Sequence, residues 1–142
     1  TIILDVRNQN IFKNGFVPGS IFIGLNGGFA PWVGAVLKDI NIKILLVCEE
    51  SQAKEAIMRL SRVGFDNCLG YLEGGFKTWQ NSSNPIDTID SKSAKEFEKS
   101  INDNIIILDV RQVGERNNGY LKNSEHIPLA LIDSDNKLRQ NP

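Results

Sequence analysis

Cys48 closes an apolar run, Ile44-Leu-Leu-Val47, and is followed by Glu49, Glu50, Ser51, Gln52 and Ala53, where a helical pattern begins. A cysteine at a strand-to-helix junction is placed for nucleophilic chemistry on anions. The first N–H groups of a helix have no partner within it, and the helix start carries partial positive charge, so a thiolate there is stabilised. Two features oppose this. Glu49 and Glu50 follow the cysteine directly, and no glycine or arginine stands between Cys48 and Lys54. Helix-terminus stabilisation is worth about 0.3–2 kcal/mol. Each of two carboxylates about 7 Å away, at an effective dielectric of about 40–80, costs about 0.6–1.2 kcal/mol. The two effects nearly cancel, so the loop 48–53 is a half-made anion site.

Other chemistries find less support. A phosphatase loop needs an arginine six positions after its cysteine, to clamp phosphoryl oxygens, and position 54 is lysine. His126, the only histidine, has no ligand partners at metal-binding spacing, and Cys48 and Cys68 stand twenty residues apart, so no metal site is expected. Cys68, inside the apolar stretch Asn67-Cys-Leu-Gly-Tyr-Leu72, reads as a small buried hydrophobe. Trp32 and Trp79 read as packing residues, and no residue set asks for a cofactor.

The elements that must position Cys48 follow from hydrophobic patterning. Ile2–Val6, Ser20–Gly24, Ile44–Val47 and Asn67–Leu72 are strand-length and nearly all apolar, as in parallel strands covered on both faces. Between the last two, Ala53, Ala56, Ile57, Leu60 and Val63 form a helical stripe, with Ser51 as N-cap and Gly64 as the residue just past the end. The alternation predicts an α/β fold, with a parallel sheet carrying helices on both faces and Cys48 at a strand's carboxyl end.

A repeat divides the chain. Residues 1–25 align without a gap on residues 105–129: Ile-Ile-Leu-Asp-Val-Arg recurs intact, Asn14-Gly15 matches Asn118-Gly119, and Phe16 matches Tyr120. Residues 1–83 are therefore expected to form one nearly complete unit lacking its first strand and helix, and residues 84–142 a linker and the first half of a second. The turn-rich stretch 81–91 is the linker, and Ser93–Glu96 is a capping box opening a helix with Ala94, Phe97 and Ile101 inward. In both copies the Asp-Val-Arg pair reads as a structural bridge at a strand end.

These motifs together resemble a rhodanese-type sulfurtransferase domain followed by the opening of another. Asp5-Val-Arg7, Gly15-Phe-Val-Pro-Gly-Ser20, Gly64-Phe-Asp-Asn67 and Leu72-Glu-Gly-Gly-Phe-Lys-Thr-Trp79 carry the likeness. Residues 25–37, "LNGGFAPWVGAVL", resemble the tandem rhodanese region of bacterial fusions with a metallo-β-lactamase-fold, persulfide-dioxygenase-like hydrolase. The resemblance places Cys48 where active relatives carry a nucleophile. That thiolate takes the outer sulfur of thiosulfate or another sulfane donor and passes it from a persulfide to an acceptor. Active loops look like Cys-Arg-Ser-Gly-x-Arg, in which glycine curls the backbone around the sulfur and arginine adds charge. Cys48-Glu-Glu-Ser-Gln-Ala53 departs from that pattern.

The expectation is a degenerate, non-catalytic rhodanese-like module of a larger sulfur-metabolism hydrolase, which packs on or regulates the catalytic domain. The alternative is a sulfurtransferase forming a Cys48 persulfide, with a small sulfur-containing anion or thiol as partner. Any metal belongs, by resemblance, to the hydrolase domain. Charge and hydropathy bound the rest. A net charge of -1 gives no field for nucleic acid, and no apolar run reaches the ~20 residues of a membrane span. Two cysteines make no disulfide framework, so a cytoplasmic location is expected. The open surfaces of a chain cut in mid-repeat lead to the expectation of a possible homodimer.

Overall fold

The computed structural model describes residues 1–102 and 104–134. They fall into two compact units, Thr1–Ser91 and a second beginning at Lys92.

The first unit is built on a four-stranded, all-parallel sheet. Its strands are β1 (Ile2–Asp5), β2 (Ile21–Phe22), β3 (Ile44–Val47) and β4 (Cys68–Tyr71), in the order β2-β1-β3-β4. Strand β3 is central and in register with β1 from Ile2–Ile44 to Asp5–Val47. The helices are α1 (Gln9–Phe12), α2 (Phe29–Val36), α3 (Glu50–Ser61) and α4 (Gly75–Asn81). Phe29 and Val33 of α2 and Ala53, Ala56 and Leu60 of α3 bury against Leu4, Val6, Ile44 and Leu46, forming one core on one sheet face. Burying each Leu, Ile, Val or Phe side chain contributes about 1.5–3 kcal/mol. Helix α4 takes the other face, where the Phe76 ring covers the Arg7 guanidinium 4.3 Å from its centroid. The fold is thus the α/β, parallel-sheet arrangement that patterning predicts.

Three local expectations are corrected. Ser51 does not cap α3. Glu49 takes the extended cap conformation and its side chain makes no capping bond, which places Ser51 inside the first turn. Trp32 is 42% exposed rather than packed, because α2 is apolar almost all round and only Phe29 and Val33 face the core. The strands are not covered on both faces either: Leu45 in β3 is 41% exposed. The far end of α3 is as read. Gly64 adopts φ +87°, and the N–H groups of Phe65 and Gly64 donate to Leu60 O and Ser61 O, closing the helix with a Schellman pattern.

The stretch 81–91, read as a linker, is bonded to the first unit. Phe16 and Asp87 form an isolated antiparallel bridge, the Ile89 N–H donates to Lys13 O, and the Trp79 Nε1–H donates to Pro85 O at 2.9 Å.

The second unit repeats the framework of residues 1–25. It comprises α5 (Ala94–Ser100), β5 (Ile107–Asp109), α6 (Val113–Asn117), β6 (Ser124–His126) and a 3-10 turn at Leu129–Ser134. Strands β5 and β6 pair in parallel with Asp109 opposite His126, the register of Asp5 opposite Phe22. The Ser93–Glu96 capping box forms, but the inward stripe of α5 is not buried: Ala94 is exposed, Ile101 is 40% exposed and Phe97 is half-buried.

Candidate active site

The Cys48 turn is set by three segments. Strand β3 forms because Ile44-Leu-Leu-Val47 is apolar and flanked by β1 and β4. Its carboxyl end delivers Cys48 to the edge of the core, and the next residue, Glu49, turns the chain into α3. Open parallel sheets bind ligands at this end. The Gln52 N–H donates to Glu49 O at 2.9 Å, so the first helical turn closes on itself.

The Leu72–Gly75 turn folds back over this junction. Gly74 and Gly75 adopt φ +71° and +65°, the left-handed region glycine enters without steric cost. A Cβ on Gly75 would stand 3.2 Å from the Cys48 carbonyl oxygen. The two glycines therefore allow the start of α4 to press onto the Cys48 backbone.

Beneath that roof the cysteine is sealed. Cys48 is fully buried and packs in the core cluster with Leu46, Ala53 and Ala56. Its thiol pKa is pushed up to about 11, first by burial, then by the nearby Cys68 thiol and the Glu49 and Asp5 carboxylates. Among the described residues no hydrogen-bond donor reaches its Sγ. A nucleophilic or sulfur-carrying cysteine needs the opposite environment, with an exposed thiolate and converging N–H groups.

The remaining loop residues diverge. Glu49, Glu50 and Ser51 face solvent, Gln52 is half-buried, and Ala53 turns into the core. The Arg7 guanidinium makes no hydrogen bond to the sulfur; its bonds go to Asp5 and Gly15. Nε and one terminal nitrogen hold both Asp5 carboxylate oxygens at 2.6–3.0 Å, and that same terminal nitrogen donates to Gly15 O at 2.8 Å. The second copy repeats the clamp, with Arg111 on Asp109 at 2.7–2.9 Å and on Gly119 O at 2.9 Å. His126 is used locally too, its Nε2 lying 2.8 Å from Arg111 O. Cys68 is half-buried rather than enclosed.

Gly74 and Gly75 read from the sequence as turn residues needed where φ is positive or backbones approach closely, and the structure bears this out, whereas Arg59 carried no readable signal. Gly75 matters through its contact with a carbonyl twenty-seven residues earlier in the chain. Arg59, at an outward position of α3, reaches back to donate to Leu25 O at 2.6 Å and lies over the Phe29 ring.

Residues 1–82 match the sequence profile of the rhodanese-like domain. The chain belongs to the rhodanese-like domain family. Its fold is similar to that of a rhodanese-like domain from Anabaena sp., at a TM-score of 0.58 and 20% identity over 66% of this chain and 97% of that one. A longer structure of the same Anabaena protein matches with a TM-score of 0.54 and 22% identity, over 62% of this chain and 68% of that one. A thiosulfate sulfurtransferase from Pseudomonas aeruginosa aligns with 89% of this chain at a TM-score of 0.52 and 18% identity, although the rhodanese-like chain spans only 28% of that protein. No curated protein matches the sequence significantly. At these identities the structural likenesses bear on fold alone. Among the described residues no group of three or more His, Cys, Asp and Glu is arranged to hold a metal, and no helix is long and apolar enough to cross a membrane.

Proposed function

We propose that this rhodanese-like chain is a non-catalytic module. In this reading it keeps the fold of the sulfurtransferases without their loop chemistry, and serves a larger cytoplasmic sulfur-metabolism protein by packing on or regulating a catalytic domain. The resemblance of residues 25–37 favours a metallo-β-lactamase-fold, persulfide-dioxygenase-like hydrolase as that domain. The observation carrying the proposal is the enclosed Cys48, fully buried, with its thiol held neutral and two carboxylates following it. Sulfur transfer has two covalent steps, attack of a thiolate on the donor sulfur and discharge of the persulfide by an acceptor, and both require access to Sγ.

The alternative, a sulfurtransferase using Cys48, draws support from the position of that residue at the carboxyl end of β3 before a helix start. Intact mass spectrometry after incubation with thiosulfate separates the two, with Cys48→Ser as control. No adduct on either protein is the expected result. Gain of one sulfur atom by the wild type alone would establish the alternative.

A further inference from the structure

Three Asn-Gly dipeptides occur in the chain, at Asn14-Gly15, Asn26-Gly27 and Asn118-Gly119. Asparagine before glycine is the pairing most prone to lose its side-chain amide, because the following backbone nitrogen meets no Cβ on its way to the side-chain carbonyl carbon. Whether the attack occurs depends on what holds the two reacting groups. Asn14 and Asn118 follow the short helices α1 and α6 and are held alike. Their Nδ2–H groups donate to Asn10 O at 2.9 Å and to Gly114 O at 3.2 Å. The attacking nitrogens, of Gly15 and Gly119, donate to Phe12 O and Arg116 O, both at 3.0 Å. The carbonyls of the same two glycines are gripped by Arg7 and Arg111.

Asn26 is held by none of these. It is exposed in the loop between β2 and α2, and among the described residues neither its side-chain amide nor the Gly27 N–H has a hydrogen-bond partner. Gly27 is itself exposed at φ +86°, with nothing within 4 Å of where a Cβ would stand. A five-membered ring closed on that nitrogen therefore has room to form.

We propose that Asn26 is a site of spontaneous deamidation, passing through a succinimide to a mixture of aspartate and isoaspartate. The Gly27 nitrogen gives up its proton to solvent and attacks Asn26 Cγ. The bond from Cγ to Nδ2 breaks, and ammonia leaves with a proton taken from water. Water then opens the ring at either carbonyl, so the net change is addition of one water and loss of one ammonia, with nothing oxidised or reduced. Both products carry a new carboxylate two residues before Gly28, the N-cap of α2, where the positive end of that helix favours it. The isoaspartate form also lengthens the backbone by one methylene directly after Leu25, whose carbonyl Arg59 holds. At Asn14 and Asn118 the local bonds must open first, which slows the same reaction.

Peptide mapping by mass spectrometry of the 142-residue chain, sampled over days in warm, mildly alkaline buffer, tests the proposal. Isoaspartate is marked independently by a carboxyl methyltransferase specific for it and a labelled methyl donor. In the folded chain Asn26 should convert at least about tenfold faster than Asn14 or Asn118, each of which must break two or more hydrogen bonds to react. In urea the three rates should converge, since only the sequence around each reacting pair then differs. Asn26→Gln, whose longer side chain closes a ring far less readily, should leave residue 26 unconverted and its peptide unmethylated. Asn14 or Asn118 converting as fast as Asn26 in the folded chain would overturn the proposal, as would a folded Asn26 that stays intact while the urea-unfolded chain converts. A preference for Asn26 that persists undiminished in urea would overturn its structural basis.

Discussion

Removing a thiol from water raises the cost of its anion, and at Cys48 two carboxylates and a second thiol act in the same direction as burial. The sign of the stability effect follows. The thiol pKa is about 11 in the folded chain and 9.0 in the unfolded one, so its contribution is complete below pH 9 and is lost as pH rises towards 11. The unfolded chain releases its proton first, which favours unfolding. Urea titrations of the wild type should show the midpoint falling across that window, by at most about 2–3 kcal/mol of stability. Cys48→Ala should show a shallower decline, and equal slopes for the two proteins would mean the thiol is not held neutral by the fold. Sequence alone placed this cysteine at a strand end beside Glu49 and Glu50; the strand end and Glu49 hold, but the second carboxylate acting on the thiol is Asp5 rather than Glu50. Its enclosure was not legible, because the Gly74–Gly75 pair reads as a close-approach turn without showing that Cys48 is what it approaches.

At the scale of elements, the Leu72–Gly75 turn and the α3 terminus offer a controlled pair of glycines. Gly64 and Gly75 both have positive φ, but a Cβ on Gly64 meets nothing within 4 Å, whereas one on Gly75 meets the Cys48 carbonyl. Gly64→Ala should therefore cost only the left-handed penalty of about 1–2 kcal/mol. Gly75→Ala should cost more, because the α4 turn must also move off the Cys48 junction, and chemical denaturation of the two variants measures the difference. Equal costs would mean that α4 does not press on Cys48. Strand β3 was readable to the residue, as the apolar run Ile44–Val47 between Lys43 and Cys48. The cap of α3 was not. Glu49, Glu50 and Ser51 are all polar, and only the path of the chain leaving β3 decides which takes the extended conformation. Trp32 was misjudged because α2 has too few polar residues for periodicity to orient it.

At the scale of the whole molecule, the repeat sets two copies of one strand in different surroundings. In the first, the Ile2 and Val6 N–H groups donate to Lys43 O and Val47 O of the β3 segment. The corresponding Ile106 and Val110 have no backbone acceptor among the described residues and are 62% and 38% exposed. Hydrogen exchange should find the Val6 amide protected by about 10³-fold or more, and the Ile106 and Val110 amides near the unprotected rate in a dilute sample. Comparable protection of Val6 and Val110 would show that something covers β5. The repeat itself was fully legible in the sequence. How much of the second copy's surface stays open was not, since that depends on which segments reach it.

The arginine clamp has a bearing on how such a chain acquires its structure in time. Arg7 on Asp5 and Gly15 O, and Arg111 on Asp109 and Gly119 O, have the same bonds to within about 0.1 Å, although one clamp is enclosed and the other open to water. The strand, the short helix and the second strand around it span some twenty-five residues, and all their bonds are local. Segments with short sequence separation close quickly, because little chain entropy is lost in bringing their ends together. In the second unit the clamp thus forms with no strand beside β5 other than β6 among the described residues, so its geometry does not depend on a β3 neighbour.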